Sequence, residues 1–340
     1  MIPAGVSEER IHATSRVLGG VGGDCDDVPQ RGSLVRTAII LVHQTCSPNW
    51  GAAVQLASDR SDRSLFGEPE NAWIRESKDI TIDYAYAERR AERLPDLAVA
   101  LVDRNPDVIF AYGGDVAPHA KRATSSIPIV AMVSNDPVQS GLVKSIREPG
   151  GNVTGLTLIY DDLAGKMLAI LKEAVPEMRC VAVLWNPSHA DPEFRETKRV
   201  AGLENVEVVS LEVKRADDFD GAFKSALDQR AQGLIVVSTR LLVTQREKIL
   251  AFAESSRIPT IGSWGDWARD GLLLSYGPNT VEVMRRVAVY VDKILKGGRP
   301  ADIPIERPAR FELVVNLRTA KTIKLTIPPN LVARADEVIE

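Results

Sequence analysis

Five short polar turns stand out in this sequence because each directly follows a short apolar run. They contain glycine, serine, asparagine or charged residues, and they are Gly113–Asp115, Ser134–Asp136, Asn186–His189, Ser238–Arg240 and Ser263–Asp266. Such side chains donate and accept hydrogen bonds, and the turns precede or open helices, whose first N–H groups can meet a carboxylate. The chemistry these turns can supply is the binding of a small polar solute. For any single turn, capping of the following helix explains the same residue types.

An internal repeat positions these turns. The segments from Asp79 to Asp115 and from Asn205 to Arg240 each read as a strand, a charged turn, an amphipathic helix and a second strand. Helical spacing predicts one apolar face on each helix. In the first helix, that face carries Leu94, Leu97, Ala98, Leu101 and Val102. In the second helix, it carries Phe219, Ala222, Phe223, Ala226 and Leu227.

The order of strands and helices predicts an α/β protein with two similar halves, because strands that alternate with helices form parallel sheets. Short apolar runs suited to burial on both faces are typical of such strands. These runs are Ile39–Val42, Val108–Tyr112, Ile129–Val133, Val181–Trp185, Leu234–Val237 and Thr260–Gly262. Ligands of open α/β sheets bind outside the carboxyl ends of the strands. If the two sheets face each other, all five turns converge on one cleft.

The composition argues against several other functions. The formal net charge is −4 with interspersed signs, which lacks the basic footprint of a nucleic-acid-binding protein. No run approaches the ~18 apolar residues of a membrane span. The three cysteines and four histidines show no ligand spacing, so we expect neither a metal nor another cofactor. The sequence has no nucleophile-elbow or phosphate-loop motif, so we expect no enzymatic activity.

Three stretches resemble a known family. They are NPDVIFAYGGDVAPHAKRAT from Asn105, SSIPIVAMVSNDPVQSGLVKSIREPGGNVTG from Ser125, and the C-terminal stretch from Ala288 that contains FELVVNLRTAK and LTIPPNLVARADEVIE. They resemble the periplasmic substrate-binding components of ABC transporters related to tryptophan- and aromatic-amino-acid-binding proteins. The resemblance implies a type I periplasmic-binding-protein fold, with two doubly wound parallel-sheet lobes joined by a multi-strand hinge. It also implies capture of a small organic solute and its delivery to membrane permease subunits, by a protein we expect to be a periplasmic monomer.

The resemblance also implies ligand contacts from both lobes. In the first lobe, Gly114 and Ser134 would offer N–H or hydroxyl groups to a carboxylate, and Asp115 or Asp136 would take an ammonium group. In the second lobe the expected contacts are Asn186, Ser238, Trp264 and Tyr276. The two aromatic rings would stack on a ring of the ligand, or they simply pack in the core. Asp136 would otherwise cap a helix that begins near Val138.

The repeat and the resemblance also predict domain boundaries. We expect residues 1–34 to be poorly ordered, residues 35–155 with 278–325 to form the first lobe, 156–277 the second, and 326–340 a C-terminal tail. The stretches around residues 152–159, 271–277 and 311–316 would cross between the lobes. A helix from Asn279 would stop at the glycine pair after Lys296, because glycine ends helices.

The N-terminal residues depart from the family pattern. Residues 1–34 contain neither the apolar core nor the cleavage site of a signal peptide. The segment from Ile39 to Ile80 is also longer than its counterpart from Val181 to Val206. A surface insertion and a damaged N-terminus both explain this difference, and we favour the second.

Three other functions remain open at this stage. An enzyme on the same sheet would need a base such as His119 or His189 beside a nucleophile. A ligand sensor would reuse the two lobes, although the glycine-rich start does not predict a DNA-binding helix-turn-helix. A non-functional paralogue is the third alternative. Neighbouring permease and ATPase genes would favour the transport function.

Overall fold

The computed structural model of the chain describes residues 36–42, 80–87, 90–158, 162–188 and 193–340. The predicted poorly ordered segment 1–34, the extra residues between 43 and 79, and His189 therefore lie outside the described residues.

The first lobe is built on a sheet of five parallel strands. They are β1 (Arg36–Val42), β2 (Ile80–Tyr86), β3 (Val108–Tyr112), β4 (Ile129–Val133) and β5 (Val153–Thr157). Their order across the sheet is β2-β1-β3-β4-β5, and every neighbouring pair is parallel. The sequence-predicted bounds of β3 and β4 are confirmed, and both strands are apolar because both faces of the sheet are covered.

The second lobe is built on a sheet of seven strands. They are β6 (Cys180–Trp185), β7 (Glu207–Glu212), β8 (Gly233–Val236), β9 (Thr260–Gly262), β10 (Leu274–Pro278), β11 (Phe311–Asn316) and β12 (Glu337–Ile339). Their order is β12-β11-β10-β9-β8-β6-β7. The pair β10–β11 is antiparallel and all other neighbouring pairs are parallel. One parallel sheet and one mainly parallel sheet, with helices between their strands, confirm the predicted α/β class.

The helices in chain order are α1 (Leu94–Val102), α2 (Ala117–Ala123), α3 (Leu163–Ala174), α4 (Glu193–Leu203), α5 (Phe219–Asp228), α6 (Arg240–Thr244), α7 (Arg246–Ser256), α8 (Gly265–Arg269), α9 (Thr280–Leu295), α10 (Leu317–Ile323) and α11 (Pro329–Ala333). In the part of the chain that the structure describes, none of them has the length and apolar character that crossing a membrane requires.

The predicted apolar faces are confirmed with one exception. On α1, Leu94, Ala98 and Leu101 are buried against the first sheet. On α5, Phe219 packs in the second lobe, but Leu227 is 52% exposed. Its inclusion in the apolar face was wrong, because a residue eight positions along a helix is rotated by about 80° from the first one, which places it at the edge of the buried stripe.

Helix α9 returns the chain to the first lobe. Its buried side, which includes Val283, Val287 and Tyr290, packs against β3, β4 and β5 on the face opposite α1 and α2. The helix ends at Leu295, and Gly297 adopts φ +96°, as the glycine pair predicts. Its N-terminus is capped by Asn279, whose side-chain oxygen accepts a hydrogen bond from the N–H of Glu282 (3.0 Å).

The chain passes between the lobes three times, after β5, after β10 and before β11. Near the third passage, Leu156 and Glu306 form a parallel β-bridge at the edge of the first sheet. Multiple passages of this kind form a hinge, because a few residues in each can absorb a rotation of one lobe against the other.

The structure differs from the expected boundaries after Glu306. We expected residues 278–325 in the first lobe, but β11 pairs with β10 in the second sheet. Residues 326–340 were expected as a tail, but Ile327 and Leu331 are buried in the core of the second lobe, and β12 extends its sheet. The physical reason is that the free edge of β10 offers unpaired N–H and C=O groups, which β11 satisfies, and β12 then pairs with the free edge of β11.

Candidate functional site

The turn after β3 presents the backbone of two glycines. Gly113 adopts φ +122°, which a residue with a Cβ atom rarely does. Its N–H donates to the carbonyl of Met132 (2.9 Å), and its carbonyl accepts from the N–H of Val116 (3.1 Å). The turn is therefore fixed to β4 on one side and to the start of α2 on the other.

The turn after β4 (Ser134–Asp136) lies against the turn after β3 (Gly113–Asp115), which we call the glycine turn. The side-chain Oδ1 of Asn135 would stand 2.9 Å from a Cβ atom placed on Gly114. This buried oxygen accepts no hydrogen bond from the described residues. The Oδ1 of Asp136 instead accepts from the N–H groups of Val138 (2.8 Å) and Gln139 (3.1 Å). The capping alternative for Asp136 is thus present in the structure.

In the second lobe, the turn after β8 is joined to the turn after β9. The hydroxyl of Ser238 accepts hydrogen bonds from the Oγ of Ser263 (2.5 Å) and the Nε1 of Trp267 (3.3 Å). Trp267 is fully buried, so the indole anchors this turn to the lobe core. The neighbouring Thr239 is 3% exposed, and its Oγ1 has no hydrogen-bond partner among the described residues.

Arg240 connects the two lobes directly. Its Nη2 lies 2.5 Å from the Oδ1 of Asp115 and 3.5 Å from the carbonyl oxygen of Tyr112. A Cβ atom placed on Gly113 would stand 2.0 Å from the same nitrogen, so the glycine makes room for the guanidinium. The side chain of Arg240 is 23% exposed and that of Asp115 41%. The carboxyl ends of β3 and β8 therefore meet across the gap between the sheets.

Of the four other expected contacts, Ser134 opens the turn after β4, and Asn186, Trp264 and Tyr276 lie in the second lobe. The Oδ1 of Asn186 accepts from the N–H of Ser188 (2.9 Å), which forms a local turn at the end of β6. Trp264 is half-buried against the lobe core at the start of α8. The ring of Tyr276 stacks on that of Phe311, with 5.6 Å between centroids and 21° between planes.

The stack of Tyr276 on Phe311 belongs to the hinge. Phe311 is the first residue of β11, and the Nζ of Lys166 lies 5.6 Å from the centroid of its ring. Lys166 forms an ion pair with Asp162 (2.6 Å), at the start of α3. The three passages between the lobes are thus linked by side chains from α3, β10 and β11.

His119, the candidate base for an enzyme, lies on α2, the helix that follows the turn Gly113–Asp115. Its Nδ1 accepts a hydrogen bond from the Nη2 of Arg122 (2.8 Å). Partial burial, followed by the charge of Arg122, lowers the pKa of the imidazole, and Asp115 opposes this shift. Within the described ranges, no group of three or more His, Cys, Asp or Glu side chains could hold a metal ion.

Sequence reasoning identified the turns but missed three of their residues. Thr239 and Arg240 lie in the turn after β8, and Asn135 lies in the turn after β4. A signal for Arg240 was present in the repeat, because the two matched segments end in Asp115 and Arg240, which carry opposite charges. Facing strand ends with opposite charges favour an ion pair. No signal distinguished Asn135 or Thr239, since hydrogen-bond partners depend on the folded backbone.

Comparison with known proteins defines the class. The family model described as ABC transporter substrate binding protein matches residues 70–339. The chain belongs to the family of ABC transporter substrate-binding proteins. Among curated proteins, it is 26% identical over 269 residues to a tyrosine-binding protein of Clostridioides difficile, and the match covers 78% of this chain and 77% of that protein.

Two solved structures show the same fold. A conserved domain protein of Vibrio cholerae has a TM-score of 0.78 and 24% identity, and the match covers 90% of this chain and all of that one (100%). An ABC domain of Streptococcus pneumoniae in complex with L-Trp has a TM-score of 0.77 and 20% identity, again with 90% and 100% coverage. The predicted type I periplasmic-binding-protein fold is confirmed.

Proposed function

We propose that this protein is the solute-binding component of an ABC importer, and that it binds a small organic solute between the facing turns of its two lobes. The solute is an amino acid or an aromatic or carboxylate compound. The ion pair between Arg240 and Asp115 carries this proposal, because it brings the carboxyl ends of two parallel sheets together. Open α/β sheets bind their ligands at these ends.

The amino-acid class is favoured by two relatives. One is named a tyrosine-binding protein, and the other was solved with L-Trp. The facing turns carry the groups that such solutes need, since carboxylates are bound by N–H, hydroxyl and guanidinium groups, and ammonium groups by carboxylates. We keep as proposed ligand contacts the eight residues expected from the sequence, and we add Arg240. They are Gly114, Asp115, Ser134, Asp136, Asn186, Ser238, Trp264, Tyr276 and Arg240.

The hinge supports release as well as capture. A transport protein must open to exchange its ligand, and three passages between the lobes permit that rotation. We propose further that the protein works in the periplasm as a monomer, that it delivers its solute to permease subunits, and that it binds no nucleic acid. The net charge of −4 supports the last point.

A thermal-shift screen of the purified chain tests the proposal. The library contains amino acids, aromatic carboxylates and sugars. A solute at about 100 times its Kd stabilises the folded protein by about 2.7 kcal/mol, which raises the Tm measurably. We expect at least one amino acid or aromatic carboxylate to do so. If no member of the library raises the Tm, the binding function is wrong.

Two variants localise the site. Asp136→Asn keeps the side-chain oxygen that caps the turn but removes the charge, and Ser134→Ala removes a hydroxyl. We expect both to reduce the ligand-induced shift. Ser255→Ala, an exposed serine of α7, is the matched control and should keep the full shift. Unchanged uptake of the same solute in cells that lack the gene would contradict the importer role.

A further inference from the structure

The ion pair between Arg240 and Asp115 occupies the place where the proposed ligand would bind. We infer that a solute carrying both a carboxylate and an ammonium group replaces this ion pair, and that the site therefore selects such zwitterions over solutes with a single charge. This inference rests on the proposed function. It identifies Arg240, Thr239, Asp115 and Asn135 as residues that determine specificity.

The second lobe supplies the hydrogen-bond donors. The Nη2 of Arg240 contacts Asp115, but its Nε is buried and has no acceptor among the described residues. The Nε–H of the guanidinium can therefore donate a further hydrogen bond. A carboxylate can bind an edge of a guanidinium with its two oxygens. The hydroxyl of the preceding residue, Thr239, is also buried and also has no partner in the described part of the chain. A solute carboxylate would satisfy both groups.

The first lobe supplies the acceptors. The Oδ1 of Asp115 would stand 2.9 Å from a Cβ atom on Gly113, and the Oδ1 of Asn135 would stand 2.9 Å from a Cβ atom on Gly114. Both oxygens therefore flank the same glycine turn. Asn135 Oδ1 is buried and accepts no hydrogen bond within the described ranges. An ammonium group has three donors and no acceptor, so it fits two neighbouring oxygens.

Charge balance then determines which solutes bind. A solute with only a carboxylate would draw Arg240 away from Asp115, which would lose this counter-ion. A solute with only an ammonium group would draw Asp115 away from Arg240 in the same way. The pair is partly exposed in this structure, but lobes closed over a solute would exclude water from it, and a charge left without its partner in such a site weakens binding by at least about tenfold. A zwitterion gives each residue a new partner, so both charges remain compensated.

The test uses the complete chain and matched sets of probes. One set is L-tyrosine, 3-(4-hydroxyphenyl)propanoate and tyramine, and the other is L-tryptophan, indole-3-propanoate and tryptamine. The same comparison is made for any other amino acid that raises the Tm, and D-glucose serves as the neutral probe. Calorimetry gives the Kd of each. We expect the amino acid to bind at least about tenfold more tightly than both of its single-charge analogues.

Two variants assign the effect to residues. Arg240→Gln should weaken binding of the amino acid at least about tenfold and reduce its preference over the amine. Asp115→Asn should reduce its preference over the carboxylate. Arg334→Gln removes a comparable ion pair with Glu173 (2.5 Å) on the surface of the second lobe and should bind as the unmodified chain does. The Tm without ligand shows that each variant is folded.

The outcomes separate the two proposals. Equal affinity for the amino acid and its carboxylate analogue, or unchanged affinity in Arg240→Gln, overturns the inference. Binding of D-glucose alone also overturns it together with the proposed class of solute, while the binding of a solute between the lobes still stands. If no probe and no library solute binds, both proposals fail.

Discussion

Arg240 in the second lobe and Asp115 in the first lobe lie 2.5 Å apart, from Nη2 to Oδ1, although they belong to different sheets. The contact links the carboxyl ends of β8 and β3 directly, in addition to the connections that the hinge makes between the lobes. The separation of the lobes in the absence of ligand therefore depends on this ion pair.

We expect Arg240→Gln to open the ligand-free protein. Without the ion pair, a direct contact between the facing strand ends is lost, so the radius of gyration measured by small-angle scattering should rise. High salt should have a similar effect on the unmodified chain, because it screens partly exposed charges. Arg334→Gln should leave the radius unchanged. An Arg240→Gln protein with the radius of the unmodified chain would show that other contacts hold the lobes together.

Gly113→Ala should destabilise the fold and weaken ligand binding. The φ of +122° strains any residue with a Cβ atom, at about 1–3 kcal/mol, and the new methyl group would displace the guanidinium of Arg240. Gly202→Ala, in α4, is the matched control because its Cβ atom would meet nothing within 4 Å. Urea titration measures the free energy of unfolding of both variants. A free energy of unfolding as high in Gly113→Ala as in the control would contradict the structure of this turn.

Tyr290→Phe should be less stable by about 1–2 kcal/mol at neutral pH. Tyr290 is 0% exposed, and its hydroxyl donates to the carbonyl of Pro304 (2.6 Å). This bond holds α9 to the segment that leads to the third passage between the lobes. Chemical unfolding at pH 7 measures the loss, and equal stability of the two proteins would contradict the hydrogen bond.

The same variant should change how stability depends on pH. Burial, followed by the charge of Glu306, raises the pKa of Tyr290 above its ordinary value of 10.0. A group whose pKa is raised in the folded state gives its full stabilisation below its unfolded pKa and loses it as pH rises further. The unmodified chain should therefore lose stability above about pH 10 more steeply than Tyr290→Phe. If the free energy of unfolding falls equally with pH in the two proteins between pH 9 and 11, the raised pKa of Tyr290 is ruled out.

Tyr276→Ala should separate the two functions proposed for this ring. Loss of the stack on Phe311 should lower the free energy of unfolding by about 1–3 kcal/mol. Tyr276→Phe keeps the ring and should be nearly as stable as the unmodified chain. If the ring also contacts the ligand, Tyr276→Ala should raise the Kd while Tyr276→Phe does not. An unchanged Kd in both variants assigns the ring to the hinge alone.

The strands and helices of both lobes were predictable because burial leaves a local pattern. The apolar runs of β3 and β4 and the helical spacing of α9 gave their positions within a residue or two. The assignment of β11 and β12 was not predictable from their own residues. Which sheet a strand joins depends on which edge is open, and the edge of β10 exists only in the folded protein.

The candidate site was only partly predictable for a similar reason. Residue types and the repeat placed polar groups at the strand ends, and Asp115 was among those expected to bind. The pairing of Asp115 with Arg240 depends on how the lobes approach each other. The side-chain oxygens of Asn135 and Thr239 have no hydrogen-bond partner among the described residues. This depends on which hydrogen bonds the folded backbone makes, and no periodicity in the sequence records that.

The placement of the last strands has a consequence for biosynthesis. A chain that leaves the ribosome from its N-terminus usually folds one domain after another. Here the first lobe needs α9, and the second sheet needs β11 and β12, which follow α9 in the chain. Neither lobe can complete its core until these elements have left the ribosome. A nascent chain therefore exposes apolar surface on both sheets at once, and its demand for chaperones should stay high until β12 has emerged.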